Sequence, residues 1–572
     1  MATDKYFAEI ADKMKEAMRL ADTEYKFDPE DFPYRSKYKS REILNEIKTI
    51  LDNRESDSEE SNDRITCLLA AVHMYLGINY VDCEEISSGQ EHFEKALAVL
   101  EPWKYNEKAF SVYLKTANQL GILWANRQQV SSALKYFEIV EEMYNTFDRL
   151  ENVPLTVDEI TLIKEEETKE NRILEIEDTF THTLYYYAQL YCRDDTDKAA
   201  NYCKLTLQRQ LKYSNNFDHI DWAVNAATLS QYYLPNNNYK IARNCLAAAS
   251  YILSQAPSPE IPLDVDPNSQ VALDAKEKIQ KCSADIRRCG VKYGLLLLEN
   301  SWKIVMNQME ETAETDEEDI FKFDLELDEQ IACRHAKSFD EAKKLFLQVQ
   351  NYLNEAKDFY KLDSHCSDHI EIIQDYSKLF KFLSYFEPDL ERQCKMHKRR
   401  IDMLTGVLNE LNPQHYLLVC RQLQYEIAEI YSAMLDLKLA LIESGQKTPD
   451  PKSVNKVNQL SNQGIIYYDK FIQSFNNPEG KTPDKIPTED ERPFLIAWFC
   501  KGRLFSKIIE SNPNIRAKNV QKTIDCYKVL VDYCYNHKET EDKVKDELGI
   551  CIEMINILPA KIQNILAAHH SW

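Results

Sequence analysis

Glycine is scarce, with 11 in 572 residues against about 7% in an average protein. Hairpin turns with positive φ need Gly or Asn-Gly pairs, so their near absence excludes an extensive antiparallel sheet. Positive charge is also short: 94 Asp and Glu outnumber 70 Lys and Arg, for a formal charge of −24. The average field of such a chain repels phosphate backbones and anionic membranes, so neither nucleic acid nor a lipid surface is expected as a partner; a basic protein surface is attracted. No stretch approaches about 18 uncharged apolar residues, and no membrane insertion is expected. Met1 to Leu20 alternates charge with apolar side chains and lacks the apolar core of a leader peptide. No CxxC pair occurs among the 15 cysteines, and their irregular spacing (Cys67, Cys83, Cys192, Cys203, Cys245) reads as reduced, mostly buried thiols of a cytoplasmic protein.

The signatures of catalysis are missing too. GxxxxGK[ST], GxGxxG, GxSxG and HExxH do not occur, so no phosphate-binding loop, dinucleotide fold, nucleophile elbow or zinc protease helix is expected. His569 and His570 sit beside the C-terminus and read as solvated rather than as metal ligands. Cys282 and Cys289, seven apart on one helix face, read as core. The chain is thus expected to be no enzyme, without metal or cofactor.

What fills the sequence is helix composition, 44% apolar and 29% charged. A single core stops growing near 250–300 residues, so 572 must form several domains or a stack of repeats. A repeat is present. Leu76-Gly77, Tyr80, Gly89, Phe93 and Ala96, closed by Pro102, follow the tetratricopeptide pattern, and Leu120-Gly121, Trp124, Ala133 and Phe137 repeat it 44 residues on. A looser copy runs Tyr187-Ala188, Tyr191, Ala199 or Ala200 and Cys203, and a sharper one Leu229-Ser230, Tyr233, Ala242, Leu246 and Ala249. The first-helix and second-helix small residues lie twelve apart in three of these units. Weaker echoes follow at Ala342 and Phe346, at Ala428, Tyr431 and Ala440, and at Gly502, Phe505, Thr523 and Tyr527. Small residues belong where paired helices cross closely and large ones in the hollow between pairs. Such units hide their apolar faces only by stacking.

Four features interrupt the array. Residues 53–63 predict a mobile acidic loop, residues 158–179 a charged helix or a solvated connection, and Pro257, Pro259, Pro262 and Pro267 end the fourth unit. A long helix from about Leu273 to Gln308 precedes a second acidic tract at 310–329. The predicted architecture is an all-α, right-handed α-solenoid of tetratricopeptide-like pairs in two halves: an N-terminal array at 1–270, a linker helix at 271–310, an acidic loop at 311–330 and a C-terminal array at 331–572. Further breaks fall at Pro449 and Pro451 and over 477–493. The one strongly basic run, Cys394 to Arg400, reads as a solvated helix face.

The first helix of each tetratricopeptide pair lines the concave side, so repeat spacing nominates inward-facing residues. These are Lys115, Asn118, Gln119, Ile122 and Asn126 in the second unit, His182, Tyr185, Tyr186 and Gln189 in the third, and Thr228 and Gln231 in the fourth. The first unit offers a mostly apolar strip, Met74, Tyr75, Ile78 and Val81. Amides, hydroxyls and tyrosines suit a helix or loop of a folded partner.

The strings PYRSKYKSRE (33–42), THTLYYYAQLY (181–191), WAVNAATLSQYY (222–233), RQCKMHKRRIDML (392–404) and LNPQHYLLVCRQLQYEIAEIY (411–431) resemble the kinesin-binding proteins of animals, as do KVLVDYC (528–534) and ILPAKI (557–562) more weakly. That resemblance implies a right-handed α-solenoid in two halves. It also implies binding to kinesin motor domains, chiefly at the helix that docks on tubulin, which keeps the motor off the microtubule. The motor-contacting positions it implies are Tyr186, Gln189, Gln210 and Thr228, in a monomeric, cytoskeleton-associated protein that meets microtubules only indirectly. Two rivals stand beside this expectation: a general tetratricopeptide scaffold or adapter for chaperone tails, whose carboxylate clamp would fall where Met74 and Ile78 stand, and a regulatory enzyme subunit.

Overall fold

A helix-rich composition with few glycines leaves the backbone one economical way to satisfy its hydrogen bonds, and among the described residues the chain forms twenty α-helices and no strand. The structure, a computed structural model, describes residues 2–53, 59–147, 149–150, 152–213, 217–256, 270–310, 318–323, 332–444 and 450–570. Two compact units emerge: Met1–Glu260 with Asp316–Leu327, and Ile261–Thr315 with Asp328–Trp572.

The first unit contains α1 (Ala2–Asp22), α2 (Arg35–Asp52), α3 (Glu59–Asp82), α4 (Ile86–Leu100), α5 (Phe110–Asn126), α6 (Val130–Phe147), the short α7 (Val157–Ile160), α8 (Lys169–Tyr191), α9 (Thr196–Tyr213), α10 (His219–Tyr233) and α11 (Tyr239–Ser254). The second contains α12 (Gln270–Val305), α13 (Phe339–Phe359), α14 (Cys366–Phe386), α15 (Leu390–Glu410), α16 (Leu417–Ser444), α17 (Pro451–Gln473), α18 (Glu491–Lys507), α19 (Pro513–Asn536) and α20 (Lys545–His570). Within each unit helices pack mainly on their sequence neighbours in successive pairs, the arrangement of an all-α solenoid.

The repeat landmarks explain the pairing. A Cβ on Gly77 of α3 would come within 2.5 Å of the Phe93 ring of α4, and Gly121 of α5 meets the Phe137 ring of α6 just as closely. The weak echo near the C-terminus uses the same device: a Cβ on Gly502 would lie 2.6 Å from the Tyr527 ring, and Thr523 Oγ1 donates to the Gly502 carbonyl at 3.1 Å. Helix starts follow their capping residues. Asp218 Oδ1 accepts from the amides of Ile220 (2.8 Å) and Asp221 (3.1 Å), and Asp389, Asp450 and Asn512 cap α15, α17 and α19 in the same way.

Several expectations need correction. The apolar strip of the first unit is not an open surface: Met74 is fully buried, and α7 packs on α3, bringing Val157, Ile160, Leu162 and Ile163 over it. An apolar stripe on a first helix has to be covered, and the connection after α6 does so. The expected loop at 53–63 is helical from Glu59, and residues 54–58 lie outside the described residues. The stretch 158–179 divides into α7, a connection and the start of α8. Glu159 anchors it through a capping box with Thr156 and a bidentate pair with Arg172 (2.5 and 3.0 Å). In the second acidic tract, Phe321 is buried in the first unit, edge-on to Trp222 at 5.0 Å, and exchanges hydrogen bonds with the Asn244 amide (2.9 and 3.0 Å). Residues 311–317 and 324–331 lie outside the described residues, as do the prolines of 257–267 and Pro449. The long helix α12 packs along α13 and α14 as part of the second unit.

Among the described residues two helical stretches reach the length and hydropathy of a membrane span, Asn62–Asp82 and Lys538–Ala567, which a search for uncharged runs passes over. The first is largely core. The second is mostly exposed and presents Ile550, Ile552 and Ile557.

Candidate functional site

On α8 the residues Leu174, Glu175, Asp178, Thr181, His182 and Tyr185 recur at helical spacing and share one face. Asp221, Trp222 and Asn225 of α10, with its N-cap Asp218, do the same. Between these faces, with Gln210 and Tyr213 from the end of α9 and Phe217 from the connection, lies a cleft of about 630 Å³. Gln189 continues the α8 stripe one turn beyond the cleft, and Thr228 continues that of α10; both are exposed.

The walls are held apart and in register by a buried polar knot. Arg209 of α9 reaches back to α8, where its guanidinium pairs with the Glu177 carboxylate and donates to the Glu177 carbonyl (3.2 Å) and to Thr181 Oγ1 (3.1 Å). It also donates to the Tyr144 hydroxyl of α6 at 3.1 Å, and that hydroxyl donates to Glu177 at 3.0 Å. Tyr144 stacks on Phe180 with centroids 3.8 Å apart, and the Arg209 guanidinium sits over both rings. At the floor Trp222 is buried, its indole N–H donating to the Leu207 carbonyl at 3.1 Å. Gln210 and Tyr213 are thereby placed at the cleft by a rigid crossing.

The cleft is acidic. Among the described residues its lining includes Glu175, Asp178, Asp218 and Asp221 and no Lys or Arg. Glu175 accepts from the Val157 amide (3.1 Å) and is approached at 4.0 Å by Lys115 of α5; burial pushes its carboxyl up despite that cation. Asp178 lies 3.7 Å from His182 Nδ1. Tyr185 stands edge-on to Tyr186 (5.4 Å, 89°), and Tyr186 is half-buried against Phe137 (6.0 Å). Burial raises the Tyr186 phenol, so it offers a neutral hydroxyl.

Of the residues nominated from sequence, His182 and Gln210 line the cleft together with Tyr185, and Tyr186, Gln189 and Thr228 flank it. Thr228 Oγ1 is partly engaged, donating to the Val224 carbonyl at 2.8 Å. Gln231 is half-buried, its amide donating to Ser230 Oγ at 3.0 Å, and Gln119 is half-buried on α5. Asn118 is corrected: it is 3% exposed, accepts from Thr183 Oγ1 at 2.9 Å and fastens α5 to α8, so no partner reaches it. The four carboxylates escaped nomination. The signal was present, since Asp178 and Glu175 precede His182 by four and seven residues, and Asp221 precedes Thr228 by seven.

Comparison with known proteins was made on this background. Residues 220–565 match the family model described as "KIF-1 binding protein C terminal". The chain is 38% identical to the "KIF-binding protein" of Xenopus tropicalis, with 99% of each chain covered. It is 35% identical to that of Homo sapiens (97% of this chain, 98% of the relative) and 30% identical to that of Drosophila melanogaster (98% and 97%). A solved chain described as "Cryo-EM map of KIFBP" superposes with a TM-score of 0.68 at 31% identity, covering 99% of this chain and 100% of that one.

Proposed function

The chain belongs to the KIF-binding protein family, and on that premise we propose that it is a non-catalytic regulator which grips kinesin motor domains at their tubulin-docking surface and so blocks microtubule attachment. The observation that carries the proposal is the acidic cleft of α8, α9 and α10, with Tyr186, Gln189 and Thr228 beside it. A motor surface built to dock on acidic tubulin is basic. Four carboxylates in a shaped cleft on a chain of charge −24 supply both long-range attraction and a fitted seat for it. The polar stripes of α8 and α10 suit a helix laid across them, read by amides and hydroxyls. This assigns the protein's action to the cytoplasm, on motors rather than on microtubules themselves. Of the two positions where a chaperone-tail clamp would fall, Met74 is buried on α3, against which α7 packs, and Ile78 is an apolar, half-buried side chain, which speaks against that rival.

Microtubule co-sedimentation of a purified kinesin motor domain tests the proposal. Addition of this protein is expected to move the motor from the pellet to the supernatant. Replacing Tyr186 and Gln189 together by Ala should weaken motor binding by about 1–4 kcal/mol with helicity unchanged. A motor that stays on microtubules at saturating protein would overturn the mechanism, and undiminished motor affinity of the double variant would overturn the assignment of the face.

A further inference from the structure

The basic run Cys394–Arg400 takes no part in the acidic cleft, and its charges meet different fates on α15. Lys398 is answered by Asp402 one turn on, at 2.6 Å. Arg400 is buried, donating to Ser377 Oγ (2.9 Å) and Glu426 (3.3 Å) with His397 beside it (3.1 Å). Arg399 is exposed, lies over the Phe380 ring at 5.7 Å and has no carboxylate partner among the described residues.

Arg399 lines a second cavity of about 650 Å³, between α13, α14 and α15 of the second unit. Its floor is apolar: Ile373, Phe380, Met403 and Val407, with Tyr376 tethered to Asn354 of α13. Lys357 of α13 stands exposed at the rim, also without a carboxylate partner among the described residues. His369 holds its Nδ1 proton on the Tyr360 carbonyl at 2.8 Å, since a carbonyl only accepts. The single acid of the lining, Asp402, is already taken by Lys398. This cavity is therefore the reverse of the first-unit cleft: apolar below and cationic at the edge.

Gly406 supplies an independent observation. Gly290, Gly294, Gly464 and Gly502 of the same unit each lie where a Cβ would come within 3.0 Å of a neighbouring side chain, which accounts for their size. A Cβ on Gly406 would meet nothing within 4 Å, an openness shared with Gly549 on α20. Glycine is disfavoured inside a helix, and no packing constraint requires it here. The space over Gly406 is the cavity itself, so a side chain at this position would occupy it.

We propose that this cavity is a second docking site, which takes an acidic amphipathic helix of a partner protein, apolar side chains down onto Phe380 and Met403 and carboxylates against Lys357 and Arg399. The two unanswered cations, on different helices, fit acidic groups flanking an apolar stripe. An anionic membrane would offer similar chemistry, but the overall charge of −24 opposes approach to a charged sheet far more than to one short helix.

The test is fluorescence polarisation of the full chain with a labelled helical peptide carrying Leu along one face and Glu elsewhere. The peptide is expected to bind the native chain and to lose about tenfold or more in affinity toward Lys357→Glu/Arg399→Glu and toward Gly406→Phe, the scale of a lost charge-assisted contact. Replacing its Glu by Gln should weaken it similarly. Asp178→Asn, in the first-unit cleft, should leave it unchanged, and circular dichroism melts confirm that each variant is folded. No binding to the native chain, equal binding to all variants, or binding only to phosphatidylserine vesicles would overturn the proposal. These outcomes are independent of motor binding by the first unit.

Discussion

Loss of Arg209 should do more damage than any other single truncation near the acidic cleft. The Glu177 side chain is 8% exposed and that of Arg209 15%, so the pair is held away from water. Replacing Arg209 by Met leaves a buried carboxylate whose remaining donor is the Tyr144 hydroxyl at 3.0 Å. Breaking one side of a buried pair costs about 3–5 kcal/mol. The first unit has roughly 270 residues, and at about 2.1 cal/mol/K of unfolding entropy per residue that loss lowers its melting transition by about 5–9 °C. The double variant Arg209→Met/Glu177→Leu removes both charges and should recover most of the loss, because no buried charge is left unpaired and only the Tyr144 hydroxyl loses its partners. Differential scanning calorimetry of native, single and double variants measures the coupling. A single-variant shift below 2 °C, or a double variant no better than the single, would refute the view that this knot fixes α8 against α9. Since Gln210 follows Arg209 directly, the single variant should also bind a kinesin motor domain more weakly.

Neutralising the cleft by Asp178→Asn with Asp221→Asn should slow motor association several-fold at low salt and flatten its salt dependence, read by stopped-flow, while dissociation changes little. Gly121→Ala forces a methyl into the Phe137 ring and should destabilise by about 1–3 kcal/mol, whereas Gly406→Ala, with empty space above it, should stabilise by up to about 1 kcal/mol; equal signs in thermal denaturation would contradict the packing described. For Glu159, burial raises the carboxyl, but the Arg172 guanidinium and the backbone amides outweigh it and hold it down at about 2. A carboxyl lowered in the fold contributes stability above its ordinary value near 4.5 and loses it as pH falls toward 2. Glu159→Gln should therefore flatten the stability profile across that window in urea titrations at stepped pH.

The helical repeat was legible because it depends on local rules. Gly77 with Phe93 and Gly121 with Phe137 are small-against-large pairs at one fixed spacing, and the weaker Gly502 and Tyr527 pair repeats the small-against-large contact at a longer interval. The candidate site was legible as far as helix periodicity reaches: His182, Tyr185 and Gln189 on one stripe of α8, Thr228 on the corresponding stripe of α10. Asn118 and Met74 failed for one reason. Periodicity assigns a face but does not say what covers it, and α8 covers Asn118 through Thr183 while α7 covers Met74. The basic run on α15 read as uniformly solvated, yet Arg400 is buried and Arg399 overhangs an apolar cavity.

Sequence by itself determined that this chain is helical, repeated and acidic, since propensity, spacing and net charge are sums over neighbours along the chain. Tertiary structure alone decided which stripes stay open, because that depends on the connections folding over or away from each first helix. It also decided that carboxylates from α8 and the start of α10, some 40 residues apart in sequence, converge on one cleft, and that Lys357 and Arg399 meet at the rim of one cavity in the second unit. Electrostatic fields depend on distances through space, which a linear order of residues does not contain.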